Sequence, residues 1–164
     1  MRLWQRTYRA DPAVARLASR HYSAHQNRYA RDGKRKFDLP GQVLHLVIPG
    51  ARWPFEVDAG WVWWRPPSDQ RIDGFGGWYH CALFRNESEH LSSLLVSEAV
   101  EWARETWGEP DHGFDTYVWP ARIRSTNPGW CYQVAGWQKD GWSRDGKKRR
   151  LYLPAGSGVG HDQD

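Results

Sequence analysis

The sequence predicts an α/β domain with a mixed, mostly antiparallel central sheet flanked by helices. Three observations carry this. Short apolar runs bounded by Gly and Pro recur at 42–48, 60–64, 78–84 and 114–119. One long stretch, 91–106, has helical apolar spacing instead. The first apolar runs are joined by stretches too short for a crossover helix, so they pair antiparallel.

Asp11-Pro12 reads as an N-cap followed by Pro at the first helical position, with Val14, Leu17, Ala18 and His21 at helical spacing behind it. That helix is expected to end near Tyr22 or a turn later. Residues 26–40 form a basic loop with Gly and Pro punctuation. Strands follow over Gln42–Ile48, Gly60–Trp64 and Trp78–Phe84. A polar loop, RNESEH, opens a helix from about Leu91 to Thr106. Its buried stripe is read as Leu91, Leu94, Leu95, Ala99 and Trp102, with Glu98, Glu101 and Arg104 facing water. Phe114–Trp119 is a fourth strand. Asn127-Pro128 is read as the N-cap and first turn of a short helix through Ala135, ended by Gly136 as C′ glycine. Segments 141–143 and 149–153 read as a closing hairpin. Residues 1–154 are expected to form a single domain and 155–164 a flexible tail.

The chain has 164 residues, a net charge of +4 and twelve Trp among 15% aromatic residues. Disordered chains are poor in aromatics, and no apolar run is long enough to span a membrane. Cys81 and Cys131 form no CxxC pair, which excludes a zinc finger of that type. The N-terminal residues lack the apolar core of a signal peptide, so a cytoplasmic protein with reduced thiols is expected.

Charge is unevenly placed. Residues 1–40 carry ten Lys/Arg against three Asp, giving +7, and the remainder carries −3. Arg28, Arg31, Lys34, Arg35 and Lys36 interleave with Tyr29 and Phe37, and a second patch includes Lys147 and Lys148. Such patches suit the phosphates of nucleic acid or of a cofactor, or they are a solvated face. Trp64, Trp119 and Trp142 are candidates for stacking on bases, although most Trp are expected to pack the core.

The strand–loop–helix at 78–106 suits a pyrophosphate. A loop that opens a helix exposes backbone N–H groups at the positive end of the helix dipole. Arg85 adds a full charge, Asn86 begins the loop, and Ser92 and Ser93 add hydroxyls. His21 and His25 are four apart and share a face if the first helix continues, as metal ligands or as a base beside Tyr22 and Ser23. Asp58, Asp73 and Asp115 are the carboxylates nearest strand ends. Cys131 reads as a small buried hydrophobe.

The element order, the segment WYHCALF–RNESEHLSS–LLVSEAVEWARE and the late run Tyr132-Gln-Val-Ala-Gly136-Trp137 resemble the GNAT acyltransferase superfamily. The family loop usually reads Arg/Gln-x-x-Gly-x-Gly/Ala; this chain has no Gly there. The late run matches Tyr-x-x-x-Gly-Phe, preceded by Asn127. The resemblance implies acetyl-CoA or another acyl-CoA held by Arg85, Asn86, Ser92, Ser93 and Asn127. It implies catalytic roles for His21, Tyr22, Ser23 and Tyr132, with Tyr132 protonating the leaving thiolate unless it is a core tyrosine. A narrower similarity is to the Mom-type DNA-modification proteins of phages, carried by His21-Tyr22-Ser23, Phe84-Arg85-Asn86-Glu87 and Arg124-Ser125-x-Asn127-Pro128-Gly129. It implies transfer to N6 of adenine in DNA, with iron as a further participant and the host cytoplasm as the site of action. Two other functions fit the residues: a GNAT N-acyltransferase on a small amine or protein, and a non-catalytic nucleic-acid-binding domain on a degenerate scaffold.

Overall fold

The computed structural model describes residues 1–19, 39–67, 71, 73–123 and 126–158. Its sheet has seven strands: β1 Gln5–Thr7, β2 Gln42–Pro49, β3 Val57–Arg65, β4 Trp78–Asn86, β5 Gly113–Val118, β6 Gln138–Trp142 and β7 Arg149–Pro154, in the order β1-β2-β3-β4-β5-β7-β6. Every neighbouring pair is antiparallel except β4 with β5. That parallel pair needs a crossover, and helix α2, Ser92–Trp107, supplies it.

The central strands β2 and β3 are buried on both faces, which is why they read as nearly continuous apolar runs. Helix α1, Pro12–Ser19, covers one face through Ala13, Val14, Leu17 and Ala18 against Val47, Val62 and Leu83. The Asp11 carboxylate caps it as expected, accepting from the Ala13 N–H at 2.9 Å. Gly60 of β3 lets it approach: a Cβ there would lie 2.8 Å from Leu17 Cδ2. Helix α2 covers the other face. Trp4 and Trp63, both fully buried, each donate an indole N–H to a carbonyl of α2, at Leu95 and Ala99. Burying a large ring while satisfying its one donor ties sheet to helix twice.

The structure corrects three expectations. The buried face of α2 is Leu95, Val96, Ser97, Ala99, Val100 and Ala103, while Leu91 and Leu94 are exposed. Small residues let the helix lie close to a sheet crowded with tryptophan. Glu98 and Arg104 do not simply face water. Glu98 accepts from the N–H groups of Leu3 and Trp4, and Arg104 pairs with Glu101 and Glu109. Asn127 is not an N-cap: the Trp130 N–H returns to its carbonyl at 3.1 Å, so Asn127-Pro128-Gly129-Trp130 is a turn. Gly129, at φ 83° and ψ 10°, caps helix α3, Trp130–Val134. Pro then Gly at the centre is the pairing a type II turn favours.

The end of α3 forms as read. Gly136 takes φ 94°, its N–H reaches the Gln133 carbonyl, and the Trp137 N–H reaches the Tyr132 carbonyl. The rings of Trp137 and Tyr132 lie 5.1 Å apart over this cap. At Gly129 a Cβ would meet Leu151 Cδ1 at 3.0 Å in addition to the backbone strain. Gly129→Ala is therefore expected to lower stability by about 1–2 kcal/mol in chemical denaturation. An unchanged midpoint would show that the turn is not held by its φ.

Candidate active site

The parallel β4–β5 register runs from Trp78 with Gly113 to Cys81 with Thr116 and stops there. The Thr116 hydroxyl closes the last rung on the Cys81 carbonyl at 3.1 Å. Beyond it β4 continues to Asn86 and β5 to Val118, and the strands part. One cause is visible in β4. The β3 register places Val62 opposite Leu83 but Trp63 opposite Cys81, so Ala82 is an extra residue, a β-bulge. A bulge bends its strand and shifts which side chains face which side. The wedge is a cleft of about 530 Å³, walled by β4, β5, Asn127, Lys148 and α3.

Asn86 and Arg85 both line the cleft, as expected. Arg85 lies 3.5 Å from Glu87 as an ion pair. Asn86 organises the glycine-free loop: its Oδ1 accepts from the Ser88 N–H and hydroxyl, and its Nδ2 donates to the His90 carbonyl and Ser92 Oγ. The Ser88 and His90 N–H groups are spent inside the loop. The first turn of α2 has no side-chain cap, so Ser92 acts on Asn86 rather than as a cap; Ser93 is half-buried beside it. Neither serine lines the cleft.

On the opposite wall Tyr132 is buried, its hydroxyl 3.9 Å from Cys81 Sγ, and its ring packs on Trp61, Phe84 and Trp137. The Asn127 carboxamide oxygen accepts from Gln133 and Lys139. Burial pushes the Cys81 thiol above its ordinary range and the Cys131 thiol up to about 11, so neither supplies a thiolate at neutral pH.

A buried charged cluster lies at the last paired rungs, and it was not assembled from the sequence. Asp115 and His80 are register partners, with Nδ1 2.9 Å from Asp115 Oδ1. Arg71 donates to both Asp115 oxygens at 2.9 Å, and Arg150 Nε donates to Oδ2 at 3.1 Å. Burial raises the Asp115 carboxyl, but His80 and Arg71 outweigh it and hold it at about 2. Arg71 also pairs with Asp73, which accepts from the Tyr117 hydroxyl. Burial and the Asp73 charge push Tyr117 up to about 12.

His21, Tyr22, Ser23, His25, Arg28, Arg31, Lys34, Arg35 and Lys36 lie outside the described residues. Among the described residues no group of three or more His, Cys, Asp or Glu is placed to hold a metal such as iron. Lys147 sits in the exposed β6–β7 turn, its N–H on Asp145, and Lys148 reaches the cleft and the Trp119 ring at 6.0 Å. Of the proposed base-stacking residues, Trp119 is buried beneath Arg122 and Lys148, Trp64 donates to the Pro40 carbonyl, and Trp142 is 52% exposed beside Arg149. No helix among the described residues is long and apolar enough to cross a membrane.

No protein-family model matches the sequence. No curated protein matches it either. Solved structures do. An acyl-CoA N-acyltransferase from Pseudomonas aeruginosa is similar over 91% of this chain and 97% of its own, with TM-score 0.59 and 17% identity. The GNAT domain of S. lividans PAT is similar over 92% and 89%, with TM-score 0.58 and 17% identity. The Campylobacter jejuni N-acetyltransferase PseH is similar over 93% and 99%, with TM-score 0.54 and 8% identity. The chain has the GNAT fold.

Proposed function

We propose that this GNAT-fold chain is an acyl-CoA-dependent N-acyltransferase acting on an amine of a small molecule or protein. The observation that carries the reading is the parting of β4 and β5 at Cys81/Thr116, with Tyr132 on one wall and Asn86 at the mouth. Three of the similar structures are named as N-acyl- or N-acetyltransferases or as a GNAT domain, which supports the same reading.

The residues fit an acyl-CoA. When bound, it would supply the thioester. The parted edge of β4 presents main-chain groups that β5 no longer pairs, and these suit the amide-rich arm of such a molecule. An N–H among them can polarise the thioester carbonyl. The uncapped first turn of α2 and Arg85 favour the pyrophosphate. Asn86 replaces the missing glycines by fixing the loop through its side chain rather than through backbone freedom. Tyr132 donates its hydroxyl proton to the departing sulfur. The test is release of free thiol from acetyl-CoA by the purified protein with spermidine or a peptide bearing a free N-terminus. Amine-dependent release establishes the reading. Acetyl-CoA that neither binds nor reacts removes it.

A second reading, transfer to N6 of adenine in DNA, is favoured by one observation. The β6–β7 turn carries Arg144, Lys147 and Lys148, and Lys148 also lines the cleft, so a basic surface joins the reaction site. Mass spectrometry of nucleosides from cells expressing the chain decides it: a new deoxyadenosine adduct supports DNA as acceptor, and an unchanged profile rejects it.

A further inference from the structure

An amine that reaches a thioester as an ammonium ion must shed a proton before its nitrogen has a lone pair to attack with. The described residues place a group for that step on the wall opposite Tyr132. Successive side chains of a strand leave on alternate faces. Tyr79 and Cys81 belong to the core beneath α2, so His80 between them points to the other face, the one that carries α1. It lines the cleft beside the last paired rung, where the wedge begins.

Asp115 decides how this imidazole is held. The carboxylate is fully buried and accepts from Arg71 twice and from Arg150 once, so it can only accept from His80. The proton of the neutral ring therefore sits on Nδ1, and the lone pair on Nε2 points away from Asp115. Trp64 of β3 and Tyr117 of β5 flank the ring, at 6.3 and 5.8 Å between centroids. Behind them stand Arg71 with Asp73, and Arg150 of β7 with Asp140 of β6. The charges behind the ring are thus paired, and His80, 17% exposed, is the member that meets the cleft.

We propose that His80 is the catalytic base toward the acceptor, positioned by Asp115. The acceptor is an amine that arrives charged, entering from the α1 face between Trp64 and Tyr117, whose rings can steady an ammonium ion. The proposal rests on the acyl-transfer reading. Nε2 takes one N–H proton, and the nitrogen lone pair forms the C–N bond at the thioester carbonyl. The C–S bond breaks, the sulfur leaves with its electron pair and takes the Tyr132 proton, and the second proton of the now positively charged nitrogen passes through solvent to the Tyr132 oxygen, leaving a neutral amide. Base and acid thus work from opposite faces of the sheet through one gap.

The experiment compares wild type with His80→Gln, using acetyl-CoA binding by calorimetry and thiol release with two amines. Methylamine is charged at the assay pH; hydroxylamine is already neutral. His80→Gln is expected to keep acetyl-CoA affinity and lose about 10²–10⁴-fold in kcat/KM with methylamine, and markedly less with hydroxylamine. The wild-type acid limb in methylamine should vanish in the variant. Equal losses with both amines, or a wild type no faster than the variant, overturn the proposal while acetyl-CoA binding still stands. A wild type that does not bind acetyl-CoA overturns the acyl-transfer reading itself. Long-range nitrogen–proton NMR of the wild type gives a check that needs no variant: the Nδ1–H tautomer is expected at His80, and the Nε2–H tautomer overturns the assignment.

Discussion

Asp115→Ala is expected to lower the unfolding free energy by about 3–5 kcal/mol, a loss typical of breaking a buried ion pair from one side. The Arg71 and Arg150 side chains are only 2% and 4% exposed, and each loses a partner already sealed from water. Asp73 still accepts two hydrogen bonds from Arg71 and Asp140 one from Arg150, so each arginine keeps one partner and loses the more deeply buried one. The pH dependence has a definite sign. The folded carboxyl sits at about 2 against an ordinary 3.8. Its stabilisation is full above the unfolded value and fades as pH falls through the folded one, amounting to roughly 2 kcal/mol. Wild-type melting temperature should therefore drop between these two values, and Asp115→Ala should lack that part of the slope. Urea unfolding of the variant within 1 kcal/mol of wild type would show that the cluster does not hold the sheet together.

Tyr132→Phe is expected to reduce kcat by about 10²–10⁴-fold with the KM for acyl-CoA unchanged. The variant keeps the ring, and with it the contacts to Trp61, Phe84 and Trp137. Only the hydroxyl goes, and its contact with Cys81 Sγ, at 3.9 Å, is long for a hydrogen bond. Steady-state kinetics with acetyl-CoA and spermidine check this. Full turnover in the variant would reduce Tyr132 to a packing residue.

Strong periodicity made most of the fold legible. Strands β2 and β4 and helix α2 lie within two residues of their expected limits, because Gly, Pro and a polar loop punctuate them. β1 was missed. Its three residues, Gln5-Arg6-Thr7, carry no apolar alternation and are a strand only by pairing with the edge of β2. The misphased stripe on α2 has a related cause: Leu91 lies before the first turn, so counting from it rotates the helix toward the wrong face.

The site divides the same way. Arg85, Asn86, Asn127 and Tyr132 were readable because they sit in local motifs, and the structure brings them to one cleft. Asp115 was legible only as one of three carboxylates near strand ends, and its pairing with His80 was not, since 35 residues separate them. Only the parallel register, set by the α2 crossover, makes them neighbours. A faint signal was present: His80 and Asp115 are ionisable residues set between positions that bury Tyr79, Cys81 and Phe114.

The four-rung seam between β4 and β5 makes the sheet two leaves on a short spine. One leaf is β1 to β4, the other β5 to β7, and beyond the spine the Tyr132 ring of α3 packs on Trp61 and Phe84 of the first leaf. Amide exchange should register this: the amides of the seam exchange slowly, and those of the Leu83–Asn86 stretch that face the gap rather than β3 exchange sooner, because the spine need not open for them to meet water. Whatever fills the gap laces the leaves together, so occupancy should be felt as protection on both sides at once, including strands that touch no ligand.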